Sequence, residues 1–312
     1  MDAARGERGQ PTGGMSRLGI GVIGVGKVGA VLASAWRACG HSVVAAAAHS
    51  PASRERAEVM LPGVPLVPVE EVVRRSELVL LAVPDDTLPG LVAGLADLGH
   101  FSSGQLVLHP AGRFGAAVLA PAVGRGALGI ALHPAMTFTG TSLDIARLAG
   151  CPVAVTCAPA LTPIGQALAV ELGAEPFVVA EEDRPLYHAA LVHGANHLVT
   201  LVSQAVRVAA QAGVPAESLR PLLTAALDRA LREGEEGLTG PVVRGDVGTI
   251  REHLVALKQA AQRETREGPS GQSLGEALRT YRDLAGATVR RARQLGTLHP
   301  PVADEIAEAL EA

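Results

Sequence analysis

The sequence predicts a doubly wound α/β sheet followed by an all-helical C-terminal domain, and three observations carry that prediction. Short, almost wholly apolar runs alternate with helical patterns through the first half of the chain. A Gly-x-Gly-x-x-Gly turn joins the first run to the first helix. Beyond Glu181, Glu182 and Asp183 only helical periodicity remains. With 312 residues and 48% hydrophobic content, the chain is long enough for two medium domains, each with its own core. The expected division is a disordered tail over 1–16, a nucleotide-binding domain over 17–180, and a helical substrate and dimerisation domain over 181–312.

Taken in order, "MDAARGERGQPTGGMS" is rich in Gly, Pro and charge and lacks the apolar core of a signal peptide, so it reads as a disordered lead-in, with Met15 as an alternative start. Strands are expected over Ile20 to Ile23, Val43 to Ala47, Leu78 to Val83, Leu106 to Leu108, Leu128 to Leu132, Val153 to Thr156 and Phe177 to Val179. They are apolar on both faces, as in a mostly parallel sheet covered on each side by helices. None is long enough to cross a bilayer. The acidic triplet at 181–183 suits a helix N-terminus. Helices are expected over Arg184 to Gln211, Ala216 to Glu233, Asp246 to Glu264, Ser273 to Leu295 and Val302 to Leu310.

The net charge of −4, with no basic patch or acidic run, points away from nucleic acid and membrane surfaces and toward a small ligand. Cys39, Cys151 and Cys157 show no metal or redox spacing, which fits a reduced cytoplasm.

The glycine turn spans Gly24, Gly26 and Gly29 in "GVIGVGKVG". It follows an apolar strand and opens an Ala/Val-rich helix, the context of a Rossmann dinucleotide site. Lys27 and Val28 lie within it, and Val83 and Pro84 follow a neighbouring strand. The second strand lacks the carboxylate that would accept hydrogen bonds from a ribose 2′-hydroxyl. Ser50, Ser53 and Arg54 stand there instead, a set suited to the 2′-phosphate of NADP. The alternative is that the serines cap the next helix. Two His-Pro pairs, at His109 and His133, fall at strand ends, where open α/β sheets bind ligands.

The segments "GVIGVGKVG", "LLAVPDDTL", "LHPAMTF", "YHAALVHGANHLVTL" and "LTGPVVRGDVGTIREHLVAL" resemble Rossmann-like oxidoreductases that carry a helical C-terminal domain of unknown function, in the 6-phosphogluconate dehydrogenase-like group with ketopantoate reductase. The resemblance runs from Leu18 to about Leu295. It implies NADP(H)-linked redox chemistry in a cleft between two domains and leaves the substrate open. Ketopantoate reductases and β-hydroxyacid dehydrogenases carry a Lys, with an Asn one turn later, on the first long helix of the second domain. The only lysines here are Lys27 and Lys258. His188, His193, Asn196 and His197 stand in that region instead, so either a proton donor there is a histidine or the family mechanism does not carry over.

At 100° per residue His193, Asn196, His197, Thr200 and Gln204 form one stripe, either a solvated face or a polar cleft wall. His193 and His197 resemble half a metal site, but no third ligand has sensible spacing, and no metal is expected. In "TGPVVRGD", Thr239 and Arg244 are candidate substrate contacts, Arg244 as a clamp for a carboxylate. A plain Arg244–Asp246 clasp, or Asp246 as a helix cap, is the alternative. The catalytic candidates are His133, His193 and Asn196. The expected activity is NADP-dependent oxidoreduction of a small carbonyl or hydroxy acid, of the ketopantoate type or, alternatively, prephenate-like with His133 as base. A non-catalytic NADP-binding sensor is the remaining reading. Apolar helices such as "LVTLVSQAVRVAAQAGV" favour a homodimer.

Overall fold

The computed structural model describes residues 17–267 and 274–312. The expected disordered tail over 1–16, the alternative start at Met15 and the helix start at Ser273 lie outside the described residues. Two compact units are formed, one ending at Leu191 and the other beginning at Val192.

In the first unit, seven strands form one sheet: β1 (Gly19–Ile23), β2 (Ser42–Ala47), β3 (Leu78–Leu81), β4 (Leu106–His109), β5 (Leu128–Pro134), β6 (Pro152–Cys157) and β7 (Glu175–Val178). Their order is β2-β1-β3-β4-β5-β6-β7. Strands β1 to β5 pair in parallel, whereas β6 runs antiparallel to β5 and carries β7 parallel to itself. An isolated parallel bridge from Leu66 to Ala46 stands beyond β2, where a further strand would add. The order reverses between β1 and β3, and the carboxyl ends of β1, β3, β4 and β5 share one edge.

The connections include α1 (Lys27–Ala38), α2 (Pro51–Met60), α3 (Val69–Arg75), α4 (Leu88–Asp97), α5 (Ala120–Val123), α6 (Leu143–Arg147) and α7 (Thr162–Glu171). Because successive side chains point to opposite faces, the apolar runs build two cores. Leu78, Leu80, Leu106, Leu108, Ile130 and Val155 pack with Trp36 and Leu168 on one face. Val79, Leu81 and Val107 pack with Val72, Val92 and Leu119 on the other. Trp36, the only tryptophan, is fully buried and donates its indole N–H to the Leu168 carbonyl at 3.0 Å, so the largest side chain in the core leaves no polar atom unpaired.

The expected long helix over 184–211 is divided in the structure. Helix α8 (Arg184–Leu191) runs into a π-helical turn at Val192–Asn196 and then into α9 (His197–Gln211). A π turn bonds i to i+5, so a constant 100° per residue does not hold through 192–196. Beyond it lie α10 (Arg220–Glu233), α11 (Pro241–Arg244), α12 (Val247–Glu267), α13 (Leu274–Gln294) and α14 (Pro300–Glu311). The core of this unit joins Ile250 and Leu254 of α12, Ala285 and Val289 of α13, and Ala303 and Ile306 of α14. Helices α9 and α10 bury no residue fully and expose Val199, Leu222 and Leu231.

Candidate active site

At the carboxyl end of β1 the three glycines are required for different reasons. Gly24 has φ +94°, and a Cβ there would sit 2.4 Å from the Ala82 carbonyl oxygen. A Cβ on Gly29 would sit 2.1 Å from the Gly24 carbonyl oxygen, so α1 reaches the turn only with glycine at that position. Gly26 has φ −77° and ψ −168°, which any residue adopts, and a Cβ there meets no protein atom within 4 Å. Protein packing therefore explains Gly24 and Gly29 but not Gly26. The bare backbone at Gly26 leaves open space over the first turn of α1, which has no side-chain cap and no acidic residue. Unpaired amides at the positive end of a helix dipole fit an anion such as a pyrophosphate.

Lys27 is exposed on that turn, Val28 packs on the core beneath it, and Val83 packs against the other core at the end of β3. The Pro84 carbonyl accepts from the Thr87 and Leu88 amides and so starts α4. Ser50 caps α2: its Oγ accepts from the Ser53 amide at 3.2 Å, and the Ser53 hydroxyl donates to the Ser50 carbonyl at 2.8 Å. Arg54 is exposed, and its Nε donates to the Ala48 carbonyl at 3.3 Å, leaving the Nη groups without a protein partner among the described residues. Arg56 reaches back over the turn, Nη1 donating to the Val25 carbonyl at 3.4 Å.

The loop before α6 closes over the same helix end, since a Cβ on Gly140 would meet both Arg56 Nε and Lys27 Cγ at 2.9 Å. Asp144 anchors the loop. Its fully buried carboxylate accepts from the Thr139 and Gly140 amides at 2.6 and 2.8 Å and from the Thr139 hydroxyl at 3.0 Å, and Arg147 Nη1 donates to it at 3.1 Å. Burial alone would raise its pKa, but these bonds outweigh that and hold it below the usual carboxylate range.

The two His-Pro histidines serve different ends. His109 is fully buried, accepts from the Ala111 amide at Nδ1, and therefore donates from Nε2 to the Gly115 carbonyl at 2.9 Å. It clasps the loop after β4. His133, near the end of β5, places Nδ1 2.9 Å from the Tyr187 hydroxyl, with the rings edge to face at 5.6 Å and the His188 ring at 6.2 Å. Gly112 makes room for both, because a Cβ there would lie 2.6 Å from His188 and 2.9 Å from His133 Nε2. Burial, with smaller contributions from Arg184, His188 and His109, takes the His133 pKa to about 4, so its ring is neutral near pH 7.

Helix α8 covers the β5–β7 part of this face with polar side chains. Arg184 is fully buried: Nε donates to Thr156 Oγ1 at 2.7 Å and Nη2 to the Ala154 and Ala131 carbonyls at 3.0 and 3.2 Å, whereas Nη1 has no hydrogen-bond partner among the described residues. Its guanidinium carbon lies 5.9 Å from the Tyr187 ring centroid. The sequence reading missed Arg184 and Tyr187. The available signal was a tyrosine, one of only two in the chain, beside His188 at a helix start.

In the second unit, His193, Asn196, His197 and Thr200 are exposed, and the Nδ1 atoms of His193 and His197 are 3.3 Å apart. Among the described residues no three His, Cys, Asp or Glu side chains are grouped to hold a metal. Asp246 caps α12 through the Thr249 amide and hydroxyl, and Arg244 is exposed beside it with no hydrogen bond or ion pair among the described residues. Gln204 and Thr239 meet at a mainly apolar cavity of about 520 Å³, where His253 Nδ1 and the Tyr281 hydroxyl are 3.0 Å apart.

Residues 9–134 match the Rossmann-like domain, and residues 151–288 match a domain of unknown function, DUF2520. No curated protein matches the chain. Among solved structures, a candidate NADP oxidoreductase from Bacteroides fragilis is similar at 19% identity and TM-score 0.67, over 87% of this chain and 98% of that one. An imine reductase from Pseudomonas sp. is similar at 17% identity and TM-score 0.60, over 95% and 100%. A reductive aminase from Aspergillus terreus, solved with NADPH and ethyl levulinate, is similar at 16% and 0.58, over 94% and 99%. At these identities the likeness establishes a shared fold, a Rossmann-like α/β sheet followed by helices.

Proposed function

We propose that the protein is an NADP(H)-dependent oxidoreductase that reduces a small carbonyl compound. One observation carries the reading: no protein atom requires glycine at Gly26, yet the bare backbone there leaves the amides of α1 open, on the sheet edge that also holds His133. β5 stands three strand spacings from β1, about 14 Å, so one extended ligand can reach both. The three structural neighbours described above, a candidate NADP oxidoreductase, an imine reductase and a reductive aminase solved with NADPH, support it as a group.

Bound NADPH would supply the hydride. The amides around Gly24, Gly26 and Gly29 hold its pyrophosphate, Lys27 adds charge, and Val28, Val83 and Pro84 line its path. NADP is preferred to NAD because no carboxylate stands at the end of β2 and the Nη groups of Arg54 have no partner among the described residues. Ser50 caps α2, and its hydroxyl donates to that of Ser53, the residue before Arg54. His133 positions the proton-donating group near the reacting carbon. In the second unit, His193, Asn196 and Thr239 are the polar contacts for a small 2-keto acid of the ketopantoate type, with Arg244 for its carboxylate. The exposed apolar faces of α9 and α10, which flank a groove of about 610 Å³, support pairing of two copies through these helices.

The test is NADPH oxidation with a panel of keto acids, aldehydes and ketones, with and without added amine. Turnover of a keto acid is the expected result. Saturable NADPH binding without turnover of any compound would favour a non-catalytic NADP-binding protein, and absence of NADPH binding would overturn both readings.

A further inference from the structure

We infer that Tyr187 is the group that gives a proton to the oxygen of a carbonyl substrate, and that His133 and Arg184 are the positioning residues that hold it ready. The inference rests on the oxidoreductase reading above and specifies the chemistry of that same site.

Geometry selects the tyrosine. Tyr187 is half-buried on the first turn of α8, with its ring against Phe177 and its hydroxyl fixed by His133 Nδ1. His133 is enclosed by Tyr187, His188 and Gly112, and its neutral ring cannot be the acid near pH 7. A neutral imidazole with a proton on Nδ1 donates to the phenol oxygen and leaves the phenol proton free for another acceptor.

Arg184 sets the sign of the local field. Its partners are a hydroxyl and two backbone carbonyls, all neutral, so its charge has no carboxylate bonded to it. The titratable groups around Tyr187 are Arg184, His133, His188, Cys151 and, more remotely, Glu181, whose carboxylate accepts from the Ala117 amide. A buried guanidinium with no carboxylate bonded to it, Glu181 acting on it only through space, favours any neighbour that becomes negative. Burial is the larger influence and holds the Tyr187 pKa above its ordinary value, but Arg184 opposes that shift by favouring the phenolate, and it stabilises the oxygen of a carbonyl that is gaining a hydride. It opposes a protonated imine. The site therefore selects a carbonyl compound over an iminium ion, in contrast to what the imine reductase and reductive aminase of the same fold handle by name.

In the step itself the carbonyl carbon gains a hydride from the reduced nicotinamide, and the π pair moves to oxygen. That oxygen takes the phenol proton as the Tyr187 O–H bond breaks. The tyrosinate, hydrogen-bonded by His133 Nδ1–H and facing Arg184, then recovers a proton from water. One hydride and one proton are consumed, and the alcohol and the oxidised nicotinamide are formed.

The chain has only two tyrosines, so in a Tyr281→Phe protein the ultraviolet titration of phenolate reports Tyr187 alone. In that background Arg184→Gln is expected to raise the titration midpoint by roughly 1 unit, the effect of removing a nearby opposite charge. An unchanged midpoint would overturn the assignment of Arg184. Should Arg184→Gln fail to fold, His133→Leu in the same background serves instead, with loss of the stabilising N–H moving the midpoint upward and no movement counting against the pair. For activity, Tyr187→Phe is expected to keep the wild-type Kd for NADPH and to lose roughly 100-fold or more in kcat, the range of a lost general acid. Retention of kcat within a few-fold, or turnover of amine-dependent substrates only, would overturn the proposal while leaving the NADPH-binding reading intact. A wild-type protein that binds no NADPH would sink that reading, and the phenol titration would still report on Tyr187.

Discussion

Substituting alanine separately at Gly26 and Gly29 separates what the glycine turn does for the fold from what it does for a ligand. At Gly29 the new Cβ would lie 2.1 Å from the Gly24 carbonyl oxygen and 2.8 Å from the Ala82 Cβ, with backbone on one side that cannot give way. Overpacking of that kind costs about 1–3 kcal/mol, which lowers Tm by roughly 2–12 °C for a unit of this size. At Gly26 the new Cβ meets no protein atom within 4 Å, and the backbone already has an allowed φ of −77°. Stability should hold or rise by about 0.4–1 kcal/mol through the smaller freedom of the unfolded chain. The same methyl group stands where a pyrophosphate would approach, so NADPH affinity is expected to fall more than about tenfold, or 1.4 kcal/mol. Thermal unfolding and a fluorescence titration of NADPH read the two effects independently. A Gly26→Ala protein that binds NADPH as well as wild type would refute the reasoning, as would a Gly29→Ala protein with an unchanged Tm.

Arg54→Ala is expected to weaken NADPH far more than NADH, by about 1.5–3 kcal/mol for charge-assisted bonds; equal weakening in parallel titrations would mean that the end of β2 only caps a helix. His109 and His133 have folded pKa values of about 4 against an ordinary value of 6.5, so the fold prefers their neutral forms. Their contribution is complete above about pH 6.5 and is lost as the pH falls toward 4, so denaturant midpoints should drop across that window and drop less in His133→Gln. Asp144, held below the usual carboxylate range, contributes above its unfolded pKa and loses that contribution at still lower pH. Asp144→Ala should destabilise by roughly 1.5–3 kcal/mol, because the amides of Thr139 and Gly140 lose a charged acceptor; an unchanged denaturant midpoint would contradict the anchoring role given to that residue.

Where a single local rule governs, the sequence was readable. The apolar run Leu78 to Leu81 has to be buried on both faces and became a strand flanked by two cores, whereas the edge strand β7 leaves Phe177 and Val178 exposed. The reversal of β6 was not visible, because a run such as "PVAVTC" reads the same in either direction and its orientation is decided by the path of the connection. The division of the long helix at 192–196 was hidden for a related reason: "VHGAN" satisfies ordinary helical spacing, and the wider turn is a property of the folded backbone. His109 and His133 look alike as His-Pro pairs. Only their three-dimensional neighbours distinguish a ring bonded to Gly115 from one bonded to Tyr187. Tyr187 and Arg184 escaped notice because long-range pairing, across more than fifty residues to His133 and Ala131, leaves no local pattern.

The measurement that tests the central claim most directly is the structure of the protein with NADP(H) bound. The account predicts the pyrophosphate over Gly26, the 2′-phosphate at Arg54, and nicotinamide C4 within about 7 Å of the Tyr187 hydroxyl. That span leaves one carbonyl group room at 3–3.5 Å from C4 and at hydrogen-bond distance from the phenol. A dinucleotide bound away from Gly26, or a nicotinamide turned away from both Tyr187 and His133, would contradict it.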